Sequence, residues 1–270
     1  YFFNFMYMKK TLLFLLFPIL SFSQDSLNMS LLAVYDYPNY QGNDIWGWVS
    51  PDESEYALVG LTDGFSVVNV TDPSNPNEEF FISDSNSIWR DIKTWGHYAY
   101  VTTEEDVGLL IVDLSDMTGN TYYHRTVFNN PNGSSTEFTA AHNLYIDENG
   151  VAYIFGASSN TGTSPSNGAI FLDVDSDPIN PYYLGEWDDY YIHDGMARGD
   201  TMYVGCIYEG EMFVVDVSDK TNPQNLGNIG TPNNFTHNAW VSDNGDYVFT
   251  TDEKPNAYIG SYDITDLNNI

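Results

Sequence analysis

One phrase recurs along this 270-residue chain, an apolar run that closes on an acidic or amide residue and passes into a turn. It reads Phe65-Ser-Val-Val-Asn-Val-Thr-Asp-Pro-Ser-Asn-Pro76, then Leu109-Leu-Ile-Val-Asp-Leu-Ser-Asp116, then Ala169-Ile-Phe-Leu-Asp-Val-Asp-Ser-Asp-Pro-Ile-Asn-Pro181. The last two copies are Met212-Phe-Val-Val-Asp-Val-Ser-Asp-Lys-Thr-Asn-Pro223 and Ile259-Gly-Ser-Tyr-Asp-Ile-Thr-Asp266. The marker residues Asn69, Asp113, Asp173, Asp216 and Asp263 stand 44, 60, 43 and 47 residues apart. Self-similarity at a fixed spacing of this size is the mark of a repeat architecture, in which one supersecondary unit is stacked on its neighbours. The long step contains a Ser/Thr/Asn/Gly-rich stretch, residues 157–168, which reads as a loop insertion.

Each repeat follows one internal plan. A short apolar run meets a turn such as Asp147-Glu-Asn-Gly150 or Asp243-Asn-Gly245, whose residues tolerate the positive φ of tight hairpins. A second run follows, for example Tyr98-Ala-Tyr-Val101 or Tyr203-Val-Gly-Cys-Ile207, and then the marker run. The Asp-Pro-x-Asn-Pro tail must be a turn, because proline cannot donate to a ladder. A weaker fourth run, such as Glu79-Phe-Phe-Ile82, closes the unit. Four short strands every 45 residues or so predict an all-β chain, a β-propeller of four-stranded antiparallel blades with five repeats visible and more expected in a longer chain. The run Leu31-Leu-Ala-Val-Tyr35 reads as a fourth strand that would complete the last blade.

Met8-Lys9-Lys10, the apolar run to Leu20 and Ser21-Phe-Ser-Gln24 have the charged, apolar and small-residue regions of a secretory signal. Residues 1–23 are therefore read as an upstream extension plus signal peptide starting at Met8, and 24–270 as a secreted or surface-attached propeller domain, incomplete at its C-terminus. The apolar run is too short to span a bilayer. With 38 acidic against 8 basic residues the formal charge is −30, which excludes nucleic-acid binding and argues against docking on anionic lipid. The single cysteine, Cys206, excludes a disulfide framework; its apolar setting predicts a buried thiol.

The marker phrase resembles the LVIVD repeat. At greater length the ordered series Asn43-Asp-Ile-Trp-Gly-Trp48, Glu55-Tyr-Ala-Leu-Val-Gly60, Trp89-Arg-Asp-Ile-Lys93, His142-Asn143, His193-Asp-Gly195 and His237-Asn-Ala-Trp240 is similar to the choice-of-anchor B family of secreted bacterial propellers. The resemblance implies an extracellular or surface-attached propeller with further repeats and an anchor beyond residue 270. It brings no assigned activity.

Aligning the first strands exposes a polar pair at each start: Asn43-Asp44, Arg90-Asp91, His142-Asn143, His193-Asp194 and His237-Asn238. First strands line the channel of a propeller, so these residues are expected to form a ring at one rim. Neutral imidazoles suit Zn or Mn and carboxylate oxygens suit Ca, which makes His142, His193, His237, Asp91 and Asp194 the candidate ligands of a divalent cation. Asp44, Trp46, Arg90, Asn143, Asn238 and Trp240 are the candidate ligand rim. The competing reading of the Asp/Asn column is purely structural, a bond to the next blade in every repeat. A second set of acids, Asp63, Glu104, Glu105, Glu209, Asp252 and Glu253, follows the second strands and reads as solvated loop residues. The functional expectation is a binding module for an extracellular protein or glycan with a cation in its channel. The alternative is a metal-dependent hydrolase or oxidoreductase built on the three histidines.

Overall fold

The computed structural model describes residues 29–160 and 167–270. The expected leader and its cleavage site lie outside the described residues. The architecture below belongs to the compact unit Ala33–Ile270.

Five antiparallel sheets follow one another along the chain, and within each the strands neighbour in sequence order. The first holds β1 (Gly42–Val49), β2 (Glu55–Leu61), β3 (Gly64–Asn69) and β4 (Asn77–Ser83). The second holds β5 (Arg90–Trp95), β6 (Tyr98–Thr103), β7 (Leu109–Asp113) and β8 (Tyr122–Arg125). A hairpin of β9 (Val127–Asn129) and β10 (Ser135–Glu137) precedes the third sheet, β11 (Asn143–Ile146), β12 (Val151–Phe155), β13 (Ala169–Asp173) and β14 (Tyr182–Trp187). The fourth holds β15 (Asp194–Arg198), β16 (Thr201–Cys206), β17 (Glu211–Asp216) and β18 (Gln224–Gly230). The fifth, β19 (Thr236–Val241), β20 (Tyr247–Asp252) and β21 (Ile259–Asp263), has three strands among the described residues. No helix among the described residues is long and apolar enough to cross a membrane.

The repeated phrase has a local physical cause. Each marker residue lies opposite the start of the second strand, at its first residue or, for Asn69, its second: Asn69 on Tyr56, Asp113 on Tyr98, Asp173 on Val151, Asp216 on Thr201 and Asp263 on Tyr247. Its side-chain oxygen accepts the backbone N–H two residues on, at 2.8 Å for Asp113 and 2.9 Å for Asp216. The second aspartate of the phrase repeats the device, with Asp116 accepting from Thr118 and Asp219 from Thr221. Two Asx turns in series reverse the chain where no ladder can continue, so the motif is a folding instruction rather than a ligand site.

The marker strands are apolar on both faces because both faces are covered. Among the described residues, the second, third and fourth sheets are each sandwiched between two others. β1 packs against β5, β5 against β11, β11 against β15 and β15 against β19. One core is shared by each successive pair: Leu58, Phe65 and Val67 meet Ile92, Val101 and Leu110, and Tyr153, Phe155 and Phe171 meet Val204, Phe213 and Val215. Side chains of this size at essentially zero exposure are worth about 1.5–3 kcal/mol each by transfer from water. The face of the fifth sheet that carries Trp240, Tyr247, Phe249 and Ile259 is exposed.

Two features differ from expectation. The 60-residue step is lengthened by the β9–β10 hairpin as well as by the insertion at 157–168. Phe128 and Phe138 of that hairpin stack at 4.8 Å and plug the core between the second and third sheets. Residues 31–35 form no strand on the fifth sheet. From Ala33 onward the segment lies instead along the first sheet, where Tyr35 and Tyr37 line an apolar pocket of about 350 Å³ with Ile45, Ala57 and Val59. The Tyr37 hydroxyl donates to Ser66 Oγ at 2.9 Å. The apolar side chains of that face give the segment a surface to bury against.

Candidate functional site

The first strands carry the polar pairs, and the structure gives the two members of each pair different work. The second member binds the neighbouring sheet. Asp44 Oδ2 accepts the Ile92 amide at 2.8 Å, Asn143 Nδ2 donates to Asp91 Oδ2 at 2.7 Å, and Asn238 Nδ2 donates to Asp194 Oδ2 at 2.8 Å. Asp91 also receives the Lys93 ammonium, which lies 4.7 Å over the Trp46 ring. Trp46 in turn donates its indole N–H to Thr94 Oγ1 at 3.1 Å. Burial is the main cause that pushes the Asp91 carboxyl up to about 6, with Lys93 opposing it. Burial also pushes Asp194 up to about 7, helped by the charge of Asp91. These carboxylates are the inner clamps between sheets.

Arg90 is likewise placed structurally. Its guanidinium is buried and donates to Leu61 O at 2.9 Å, to Asp84 Oδ2 at 2.9 Å and to Ser85 O. Trp240 remains about half exposed and packs edge-on against Tyr145 at 6.0 Å.

The first members of the last three pairs converge. The His142 and His193 rings lie 4.0 Å apart, and His193 and His237 lie 4.4 Å apart. Trp89 stands 5.9 Å from His142 at the other end of the row. The main chain fixes this spacing: the His142 amide donates to Phe155 O and the His193 amide to Gly205 O, each at 3.0 Å. Gly205 is needed for the approach, because a Cβ there would sit 2.9 Å from His237 O. Glycine at the end of the second run, also present at Gly60 and Gly156, is a sequence signal for this closeness that the strand pattern alone does not reveal.

Loop acids complete the row. Glu104 Oε1 lies 2.7 Å from His142 Nδ1, and Glu253 Oε2 lies 3.8 Å from His193 Nε2. The sequence reads these residues as solvated turn acids; the register of each β-hairpin instead delivers them to the rim beside a histidine of an adjacent sheet. Asp252 turns inward, accepting from Thr231 Oγ1 and from the Asn233 and Phe235 amides. Asp63 accepts from the Asn86 side chain, and Glu209 is exposed. Burial, followed by the neighbouring imidazoles, pushes His193 down to about 3. His237 is lowered by burial against the opposing pull of Glu253. A neutral imidazole offers one lone pair, so the row is an array of donors to a cation or to an N–H or O–H group. His193 is buried, and its Nδ1 makes no hydrogen bond that meets ordinary geometry, although the His237 backbone lies against the ring. His193, His237 and Glu253 each bring one donor atom to a place where all three lie within 4.8 Å of one another.

Two pockets flank the row. One of about 310 Å³ is lined by Glu104, Ala141, Gly156 and Tyr191, and one of about 420 Å³ by His237, Asn238, Trp240 and Phe249. Cys206 is fully buried, and burial pushes its thiol pKa up, which removes it from the chemistry of the rim.

The LVIVD repeat family matches residues 53–84, 89–121 and 196–231, so three of the five copies carry that repeat. No curated protein matches the chain. Among solved structures, a Desulfotomaculum acetoxidans protein of unknown function aligns with a TM-score of 0.62 at 15% identity, covering 90% of this chain and 72% of that one. A Bacteroides uniformis protein provisionally described as a 6-phosphogluconolactonase aligns with a TM-score of 0.55 at 12% identity, covering 82% and 68%. At such identities the likeness concerns fold alone. The chain thus carries three LVIVD repeats within an all-β, propeller-like fold.

Proposed function

We propose that this chain is a secreted β-propeller of the choice-of-anchor B type that works as a binding module, its ligand seated on the histidine rim. One observation carries the reading: inter-sheet clamps through Asp91 and Asp194 hold three imidazoles, each in contact with the next, in a fixed row between two pockets. Such preorganisation lowers the ordering cost of binding. The signal-like segment from Met8 to Gln24 supports secretion. The half-exposed faces of Trp89 and Trp240 at either end of the row favour a glycan, whose sugar rings stack on aromatic faces. The alternative, a metal-dependent hydrolase or oxidoreductase, keeps the three histidines, but Asp91 and Asp194 are committed to holding neighbouring sheets.

The test is a titration of the purified chain with a panel of soluble oligosaccharides, followed by tryptophan fluorescence. A saturable response that Trp89→Ala removes supports the reading. A response unchanged in Trp89→Ala and Trp240→Ala, or none with any sugar while an extracellular protein binds elsewhere, overturns it.

A further inference from the structure

We propose that His193, His237 and Glu253 form the site of a single divalent transition-metal ion, held by two imidazoles and one carboxylate. The inference deepens the binding-module reading by naming a resident of the rim. The donor set differs from the one expected from sequence, since Asp91 and Asp194 are spent on clamps and the carboxylate comes from the loop after β20.

The chemistry selects the ion. Two nitrogen donors and one carboxylate suit the borderline ions, Zn above all, whereas Ca takes six to eight oxygens and Mg prefers water and carboxylate. The three donor atoms lie within 4.8 Å of one another. A tetrahedral ion with bonds of about 2.0–2.2 Å holds its ligands about 3.4 Å apart, so closure by roughly an ångström suffices. Glu253 can supply that movement: its side chain is 47% exposed, while the His193 side chain is only 10% exposed. Fixed imidazoles with a mobile carboxylate are a workable arrangement for loading an ion from solvent. Three protein donors leave a fourth position for an external ligand, the pattern of open rather than closed zinc sites.

The rings themselves point the same way. His193 presents Nε2 to Glu253 at 3.8 Å and is packed between the His142 and His237 rings, and burying a polar ring against two others of its kind is costly unless something offsets it. Packing alone does not account for three imidazoles in van der Waals contact, since any apolar residue would fill that space better. His142 is held apart from the ion by its bond to Glu104 and forms the outer wall of the site. The charge of −30 raises the local concentration of any cation without choosing among them, so the donor set provides the selectivity.

The experiment uses the purified full chain, stripped with a chelator and titrated with CoCl2 and then with ZnCl2. One equivalent of Co(II) with the intense visible bands of a tetrahedral ion, displaced by Zn and untouched by excess CaCl2, is the expected result. Glu253→Gln, on an exposed loop and safe for folding, should weaken binding at least about tenfold. Glu209→Gln, an exposed acid of the same loop series, should leave it unchanged. His237→Ala should abolish the bands. Weak octahedral spectra at several equivalents, or binding insensitive to Glu253→Gln, would overturn the proposal. Absent cobalt bands with an intact oligosaccharide response would sink this site alone; an intact cobalt site with no tryptophan response would sink only the binding reading.

Discussion

Asn143→Ala is the substitution that most directly probes how the rim is built. Asn143 is 9% exposed, and its amide donates to the buried Asp91 carboxylate at 2.7 Å across the junction of the second and third sheets. A hydrogen bond to a charged group contributes roughly 1.5–3 kcal/mol net. Truncation also leaves space for which the neighbours relax only partly, so the total cost is about 2–4 kcal/mol. Lys93 stays on the other carboxylate oxygen, which keeps the loss below the roughly 3–5 kcal/mol of a stranded buried charge. For a chain of this size that corresponds to a fall in Tm of about 5–10 °C. Urea unfolding followed by tryptophan fluorescence measures it, with the exchange variant Asp91→Asn/Asn143→Asp as control, since swapping the partners restores most of the bond. A cost within about 0.5 kcal/mol would refute the clamp, because that is the scale of an ordinary surface change.

Further expectations follow from the same geometry. Asn238→Ala removes the equivalent bond to Asp194, so hydrogen exchange should rise selectively in β19 and β20 while the first three sheets keep their protection. Gly108 adopts a φ of 78°, and a Cβ there would sit 2.4 Å from Arg125 O, so Gly108→Ala should lower the urea midpoint more than any exposed alanine substitution; an unchanged midpoint would contradict the turn geometry. The Asp216 and Asp219 carboxyls are held below the usual range by the Ser218 and Thr221 groups that donate to them. A carboxyl depressed in the folded state stabilises above its unfolded pKa and ceases to as pH falls through the folded one. Stability should therefore drop as pH falls below the ordinary aspartate pKa of about 4, and less steeply in Asp216→Asn/Asp219→Asn than in the parent. Native Cys206 should resist a thiol reagent that reacts with it at once in urea.

The fold was legible where local chemistry repeats. Proline and Asx residues at fixed offsets force turns, and the apolar runs between them are long enough for strands and too short for helices. The histidine column was legible for the same reason, since register carries equivalent residues to equivalent places. The partners of those histidines were not. Glu104 and Glu253 look like any other loop acid in a chain with 38 of them, and only the hairpin register brings them to the rim. Arg90 was misleading because its neighbourhood is polar in sequence, whereas its guanidinium is spent on carbonyls of the first sheet and the loop after it. The β9–β10 hairpin escaped notice because it belongs to one repeat only and has no counterpart with which to be aligned.

Each hydrophobic core belongs to a pair of successive sheets and to neither of them alone. The segment that recurs in the sequence and the segment that folds cooperatively are consequently offset by half a repeat. A duplicated copy inserted between two sheets would bring one half of each of two new cores and find the matching halves already in place. A substitution in one copy, by contrast, is judged by the copy next to it, so Phe155 and Val204 must change together while Phe155 and its own equivalent in another repeat are free to diverge.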